Sequence, residues 1–109
     1  MKGCIFCKIA VRKTPKKFIY EDDEIMAFPD INPIAPVHIL IVPKKHVPDF
    51  MDLEEDKIFS KLRKVAQKIV KKHGLEGKGF RITINAGGAQ IVDHLHLHLI
   101  GPLGKAAKM

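Results

Sequence analysis

His94-Leu95-His96-Leu97-His98-Leu99-Ile100 alternates two kinds of side chain with a period of two and stops at Gly101-Pro102. Only an extended backbone turns that alternation into two chemically distinct faces, because successive strand side chains point to opposite sides of a sheet. The segment is read as a strand over 94–100, with His94, His96 and His98 on one face and Leu95, Leu97 and Leu99 on the other. Same-face positions lie roughly 6.5 to 7 Å apart, so the three rings form a row along whatever they meet. A leucine face of this kind needs a partner layer.

The stretch 53–73 supplies it. Ile58, Leu62, Val65, Ala66 and Ile69 keep the three- and four-residue spacing of a helix, while Lys57, Lys61, Lys64, Lys68 and Lys71 form its solvated stripe. Acids crowd the first turn, lysines the last, and Gly74 supplies the stop. Asp52-Leu53-Glu54-Glu55 has the spacing of a capping box, with Asp52 accepting the N–H of Glu55. His73 ends the helix, where a cation suits the dipole, and is given no chemistry.

Residues 18–20 and 25–28 flank an acidic turn and read as a hairpin. Two prolines make 30–36 a loop, and the aliphatic run 37–42, closed by Pro43, reads as a strand buried on both faces. Phe80, Ile82 and Ile84 alternate with Arg81, Thr83 and Asn85, giving a half-buried strand before the turn Ala86-Gly87-Gly88-Ala89. Gly77-Lys78-Gly79 leads into that strand, so it is a turn and not a phosphate loop. Residues 4–11 form a short N-terminal helix, stopped at Thr14-Pro15. The fold class is α+β: five strands, one short helix and one long one, in a single domain over 1–109 with 102–109 a short tail.

Length and composition agree. A chain of 109 residues, 46% hydrophobic and 28% charged, suits one core. No apolar run approaches the roughly 18 residues of a membrane span, and no signal-type apolar segment follows Met1, so the chain is read as soluble and cytoplasmic. A net charge of +7 attracts phosphate-bearing ligands without naming one. Much of that charge is the helix stripe, and one Tyr and six Phe are scattered, so no basic patch with interleaved stacking aromatics is formed and nucleic acid is not an expected partner.

Three readings of the histidine strand compete. A solvated polar face would ordinarily carry Thr, Lys or Glu. A His-x-His metal site uses the same geometry to ligate zinc. The third is nucleophilic catalysis on phosphorus, in which a neutral imidazole attacks while its neighbours donate hydrogen bonds to an anion; His38, on another strand, could join them. Cys4-Ile-Phe-Cys7 supplies half of a tetrahedral zinc site that two histidines would finish, or is a pair of free thiols, or a redox pair.

The run from Asn85 to Leu99 resembles the His-x-His-x-His signature of the histidine triad family of nucleotide hydrolases and transferases. Cys4–Ile9, Tyr20–Asp23, Ala27–Pro33 and His38–His46 resemble the family's other segments in the same order, so the likeness spans about 4–101. Length and element order are most similar to the nucleotide-binding, phosphoramidase-like branch. The resemblance implies a five-stranded antiparallel sheet and a homodimer whose two sheets are continuous. It implies that His96 attacks the α-phosphorus of a purine nucleotide through its ε nitrogen, forming a nucleotidyl-histidine that water hydrolyses, with the carbonyl of His94 accepting the δ N–H of His96. His98, Asn85, Gln90 and Ile91 would bind phosphate, with His38 behind them. Family members commonly carry Ser or Thr where Ile91 stands, so here that contact falls to the backbone N–H.

By the same resemblance Asp30 holds the ribose diol, and Phe6, Ile9, Phe28, Ile31 and Leu40 form the wall against the purine. Relatives with the cysteine pair ligate a structural zinc through residues matching Cys4, Cys7, His46 and His94; none is required for the chemistry. Phosphoramidates or adenylated amines are the expected substrates. The alternatives are a dinucleoside polyphosphate hydrolase and, from another class, a non-catalytic nucleotide- or zinc-binding interaction module.

Overall fold

In the computed structural model, which describes residues 3–105, strands β1 (Tyr20–Glu21), β2 (Ile25–Pro29), β3 (Val37–Pro43), β4 (Arg81–Thr83) and β5 (Leu97–Gly101) form one antiparallel sheet in the order β1-β2-β3-β5-β4. Two helices, α1 (Ile5–Ala10) and α2 (Asp56–Lys72), cover its two faces. The period of two sorts the strand side chains between them. Ile25, Ala27, Ile39, Ile41, Leu97 and Leu99 meet Ile58, Leu62, Val65, Ala66 and Ile69 of α2. Met26, Phe28, Leu40 and Val42 meet Phe6 and Ile9 of α1. β3, buried toward both helices, is accordingly aliphatic along most of its length. The last four residues of the expected tail, 106–109, lie outside the described residues.

The strand and helix limits differ from the sequence expectation in ways that matter for the site. Regular pairing of β5 begins at Leu97, opposite Ile41, and not at His94. Ahead of it the chain turns, with the His94 N–H on the Val92 carbonyl at 2.8 Å, and the Leu95 N–H, 2.7 Å from the Val47 carbonyl, ties its backbone to the segment after β3. Leu95 still packs with Leu97 and Leu99 in the layer against α2.

The capping box at 52–55 is absent. Asp49 instead accepts the Met51 N–H at 3.4 Å and caps a 3-10 turn over Phe50–Asp52. Asp52 lies within that turn, and α2 starts one turn later at Asp56, behind Glu55, which makes no side-chain cap and pairs with Lys45 at 2.8 Å. The hairpin's first strand shrinks to Tyr20–Glu21.

The strand expected over 80–85 is only Arg81–Thr83, and its apolar face is not covered: Phe80 and Ile82 remain 42% and 43% exposed. β4 is an edge strand, and α2 closes over Ile84 but leaves a groove of about 830 Å³ bounded by Phe50, Phe59, Val70, Phe80, Ile82 and Ile84.

Candidate active site

The antiparallel register of β3 and β5 sets Leu40 opposite His98 and His38 opposite Ile100. His38 and His98 are therefore diagonal neighbours on the face turned away from α2, a spacing that long side chains bridge. The His38 and His98 rings lie 5.3 Å apart between centroids, and those of His96 and His98 4.9 Å.

The hydrogen bonds fix the proton on each ring in turn. The Ile34 N–H donates to Nδ1 of His38 at 3.1 Å, so the proton of that ring sits on Nε2. Nε2 lies 3.0 Å from Nδ1 of His98, which therefore accepts and leaves the His98 proton on its own Nε2. Burial lowers the His98 pKa, with the neighbouring His96 and His38 acting the same way, which favours this singly protonated ring. Nδ1 of His96 lies 2.7 Å from the His94 carbonyl, an acceptor only, so Nδ1 carries the proton and Nε2 the lone pair. His96 is just 6% exposed, yet no buried side-chain nitrogen lacks a partner, so its unbonded Nε2 opens to the surface among the described residues. The two neighbouring rings thus carry one unshared lone pair, on Nε2 of His96, and one N–H donor, on Nε2 of His98, with their centroids 4.9 Å apart.

Asp30 stands at the end of β2. Its N–H bonds the His38 carbonyl at 2.9 Å, its Oδ1 accepts the Asn32 N–H at 2.8 Å, and its Oδ2 lies 3.3 Å from Nε2 of His38 and 4.0 Å from Nδ1 of His98. Asp30, His38 and His98 could in principle surround a cation. The Ile34 N–H opposes it, because a ligating Nε2 would push the His38 proton onto Nδ1, against that donor.

His94 turns to a different cluster. Its Nδ1 lies 3.4 Å from Cys4 Sγ, 3.6 Å from Cys7 Sγ and 3.2 Å from Nδ1 of His46, while Cys7 Sγ is 3.1 Å from the same His46 nitrogen. Tetrahedral ligands at zinc distances are separated by about 3.3 to 3.8 Å, so these four atoms fit one ion closely. Nε2 of His94 donates to the Pro43 carbonyl at 2.7 Å, which frees Nδ1 as a lone pair and orients the ring, the usual outer support of a ligating histidine. Burial drives the His94 pKa down to about 4, keeping that lone pair available. Cys4, Cys7, His46 and His94 can hold a metal ion. α1 brings the thiols there: Cys4 caps it, with Sγ 3.4 Å from the Cys7 N–H.

The remaining candidates divide. Phe6, Ile9, Phe28 and Leu40 lie together in the α1 layer, and the Phe6 ring meets His96 edge-on at 5.1 Å. Ile31 is 81% exposed, apart from them, and Ile91 is 99% exposed. Asn85 is exposed. Gln90 spends its side chain on the protein, with Nε2 3.2 Å from Asp49 Oδ1 and Oε1 accepting the Gly88 N–H at 3.0 Å. Sequence reading missed Asp49, the Pro43 carbonyl and the Ile34 N–H. The last two are backbone groups without a residue signature, and Asp49 could have been suspected only as the turn former after Pro48.

Imidazoles from β5 and the segment just before it, set beside a histidine of β3 and a carboxylate at the end of β2 and next to a separate thiol and imidazole cluster, define a protein of histidine triad type. The family model for the HIT domain matches residues 11–104, and the chain belongs to the HIT domain family. It is 41% identical over 106 residues to the purine nucleoside phosphoramidase of Escherichia coli (strain K12), covering 92% of this chain and 89% of that one. It is 42% identical over 105 residues to protein HitA of Neisseria gonorrhoeae, covering 93% and 97%. Among solved structures, a HIT family hydrolase from Clostridium thermocellum superposes with a TM-score of 0.92 at 40% identity, over 100% of this chain and 98% of that one.

Proposed function

We propose that this protein is a hydrolase or transferase that cleaves purine nucleotides at the α-phosphorus, with nucleoside phosphoramidates and adenylated amines as substrates. The observation that carries the reading is the bond from Nδ1 of His96 to the His94 carbonyl, which leaves the lone pair on an Nε2 that opens to the surface. In the first step this lone pair forms a bond to phosphorus, and the bond from phosphorus to the leaving amine breaks, the amine departing with a proton taken from solvent. In the second, water attacks the same phosphorus, the P–N bond to His96 breaks, one proton of the water returns to solvent, and the nucleoside monophosphate leaves. The Nε2–H of His98 donates to a phosphoryl oxygen as charge builds there, and its partner His38 holds that tautomer in place. Asp30 retains lone pairs for the ribose hydroxyls, Ile31 offers its exposed side chain to the base, and Phe6, Ile9, Phe28 and Leu40 are the packed support behind it. Asn85, Gln90 and Ile91 lie on the segment that meets phosphate.

Zinc is the ion we assign to Cys4, Cys7, His46 and His94. Bound there it supplies cross-linking between α1 and the segment leading into β5, and no step of the reaction passes through it. A homodimer fits the apolar groove along the edge strand β4, where a second copy would cover Phe80 and Ile82 and extend the sheet.

Trapping tests the reading. Wild-type protein mixed with an α-labelled nucleoside phosphoramidate should carry label on His96, whereas His96→Asn should bind nucleotide and neither trap label nor turn over. Unchanged turnover by His96→Asn refutes the mechanism, and nucleotide binding without turnover by the wild type favours a non-catalytic module. A panel that includes dinucleoside polyphosphates decides the leaving group.

A further inference from the structure

Asp49 belongs to none of the groups assigned above, yet three donors converge on its carboxylate. Gly87 N–H reaches Oδ1 at 2.9 Å, Gln90 Nε2 reaches the same oxygen at 3.2 Å, and Met51 N–H lies 3.4 Å from Oδ2. The first two bonds cross from the segment before α2 to the far loop over 86–91, and the Gly87 bond leads in holding the Asp49 carboxyl below the usual range. Gln90 passes the restraint on, its Oε1 taking the Gly88 N–H at 3.0 Å, while Ala89 N–H closes a turn on the Ala86 carbonyl at 3.2 Å. Gly87 and Gly88 both have positive φ, 66° and 95°, so this loop is intrinsically costly to order and needs an external restraint. With the Gln90 amide spent inside, the donors this loop has left are backbone ones. The N–H groups of Gln90 and Ile91 have no partner among the described residues.

We propose that Asp49 is a positioning residue for the nucleotide phosphate: by clamping Gly87 and Gln90 it holds the backbone N–H groups of Gln90 and Ile91 toward the phosphoryl oxygens. Gln90 then acts on the loop and not on the substrate. The carboxylate's lone pairs are turned onto protein donors, which lets an acid sit beside an anion site. The inference rests on reading the loop as the phosphate-binding segment.

The experiment compares binding of AMP and of adenosine by calorimetry to the full-length wild type, Asp49→Ala, Asp49→Asn and Gln90→Ala. Loss of the clamp in Asp49→Ala is expected to weaken AMP about tenfold, the scale of one charge-assisted hydrogen bond, and to leave adenosine unchanged. Asp49→Asn keeps an acceptor oxygen for Gly87 and should recover most of the loss. Gln90→Ala should resemble Asp49→Ala, and the double variant should be no worse than either single one, because both cut the same restraint. Additive losses would mean that Gln90 touches phosphate directly and would overturn the inference. So would equal weakening of AMP and adenosine, or undiminished AMP binding in Asp49→Ala. A wild type that binds neither ligand refutes the proposed function itself, whereas normal wild-type binding with an unaffected Asp49→Ala refutes only the clamp. If Asp49→Ala does not fold, Asp49→Asn and Gln90→Ala carry the same comparison.

Discussion

His38 is the residue whose replacement tests the tautomer chain most directly. His38→Phe keeps an aromatic ring in a position only 7% exposed, and removes both nitrogens. Two hydrogen bonds are lost, from the Ile34 N–H at 3.1 Å and to His98 Nδ1 at 3.0 Å, each worth about 1 kcal/mol, and the stranded Ile34 N–H adds part of a desolvation cost. The sum is a destabilisation of roughly 2 to 3 kcal/mol in urea unfolding. The functional effect has a separate origin. With no donor at Nδ1, His98 is free to place its proton there, 4.0 Å from Asp30 Oδ2, and to lose the Nε2–H that we propose donates to the phosphate. A bias of about 1.4 kcal/mol between the two tautomers lowers the competent fraction about tenfold, and kcat/KM with it. Imidazole nitrogen NMR reads the tautomer and steady-state kinetics the rate. Retention of the Nε2–H tautomer of His98 in His38→Phe would refute the reasoning, as would a full tautomer switch with unchanged turnover.

Four further outcomes follow from the same structure. Zinc added to chelator-treated protein should raise the melting temperature, and Cys4→Ser or Cys7→Ser should abolish the rise; metal analysis finding no zinc in protein purified without chelator would count against the site. Burial lowers the His98 pKa below its unfolded value, near 6.5, so between those two values the unfolded chain binds a proton that the folded one does not. That contribution is present above about pH 6.5 and lost as the pH falls through the folded value, so the loss of unfolding free energy between about pH 7.5 and 5.5 should be smaller in His98→Asn. Leu62→Ala, at a position of 0% exposure under the sheet, should cost about 2 to 5 kcal/mol in urea unfolding without altering nucleotide affinity. Ile82→Lys, in the groove beside β4, should shift sedimentation from dimer to monomer, and an unchanged wild-type-like dimer would place the interface elsewhere.

Periodicity made most of the fold legible. The alternation over 94–100, the helical spacing of Ile58 to Ile69 and the aliphatic run of 37–42 depend on which side of a backbone each residue occupies, a local property that survives any change in partners. Hence Leu95 faces α2 although regular pairing starts only at Leu97. Limits were less legible because they depend on competition for donors: Asp49 captured the turn, and α2 began at Asp56 instead of 53. The apolar face of β4 misled for a related reason, since Phe80 and Ile82 read as core but lie beyond the reach of α2.

Residue types and their spacing, by themselves, determined that His38, His94, His96, His98 and the two cysteines were the groups to watch, because their chemistry is carried by side chains; Asp30 and His46 joined them only through the resemblance to the histidine triad family. Only the tertiary structure decided which nitrogen of each ring holds the proton, since that choice is made by the Ile34 N–H, the His94 carbonyl and the Pro43 carbonyl. The same folding divided the histidines between two tasks, turning the His94 ring toward the cysteines and those of His96 and His98 toward His38. Backbone donors and acceptors are identical at every position, so no sequence pattern announces them until the sheet register brings them within 3 Å or so of a ring.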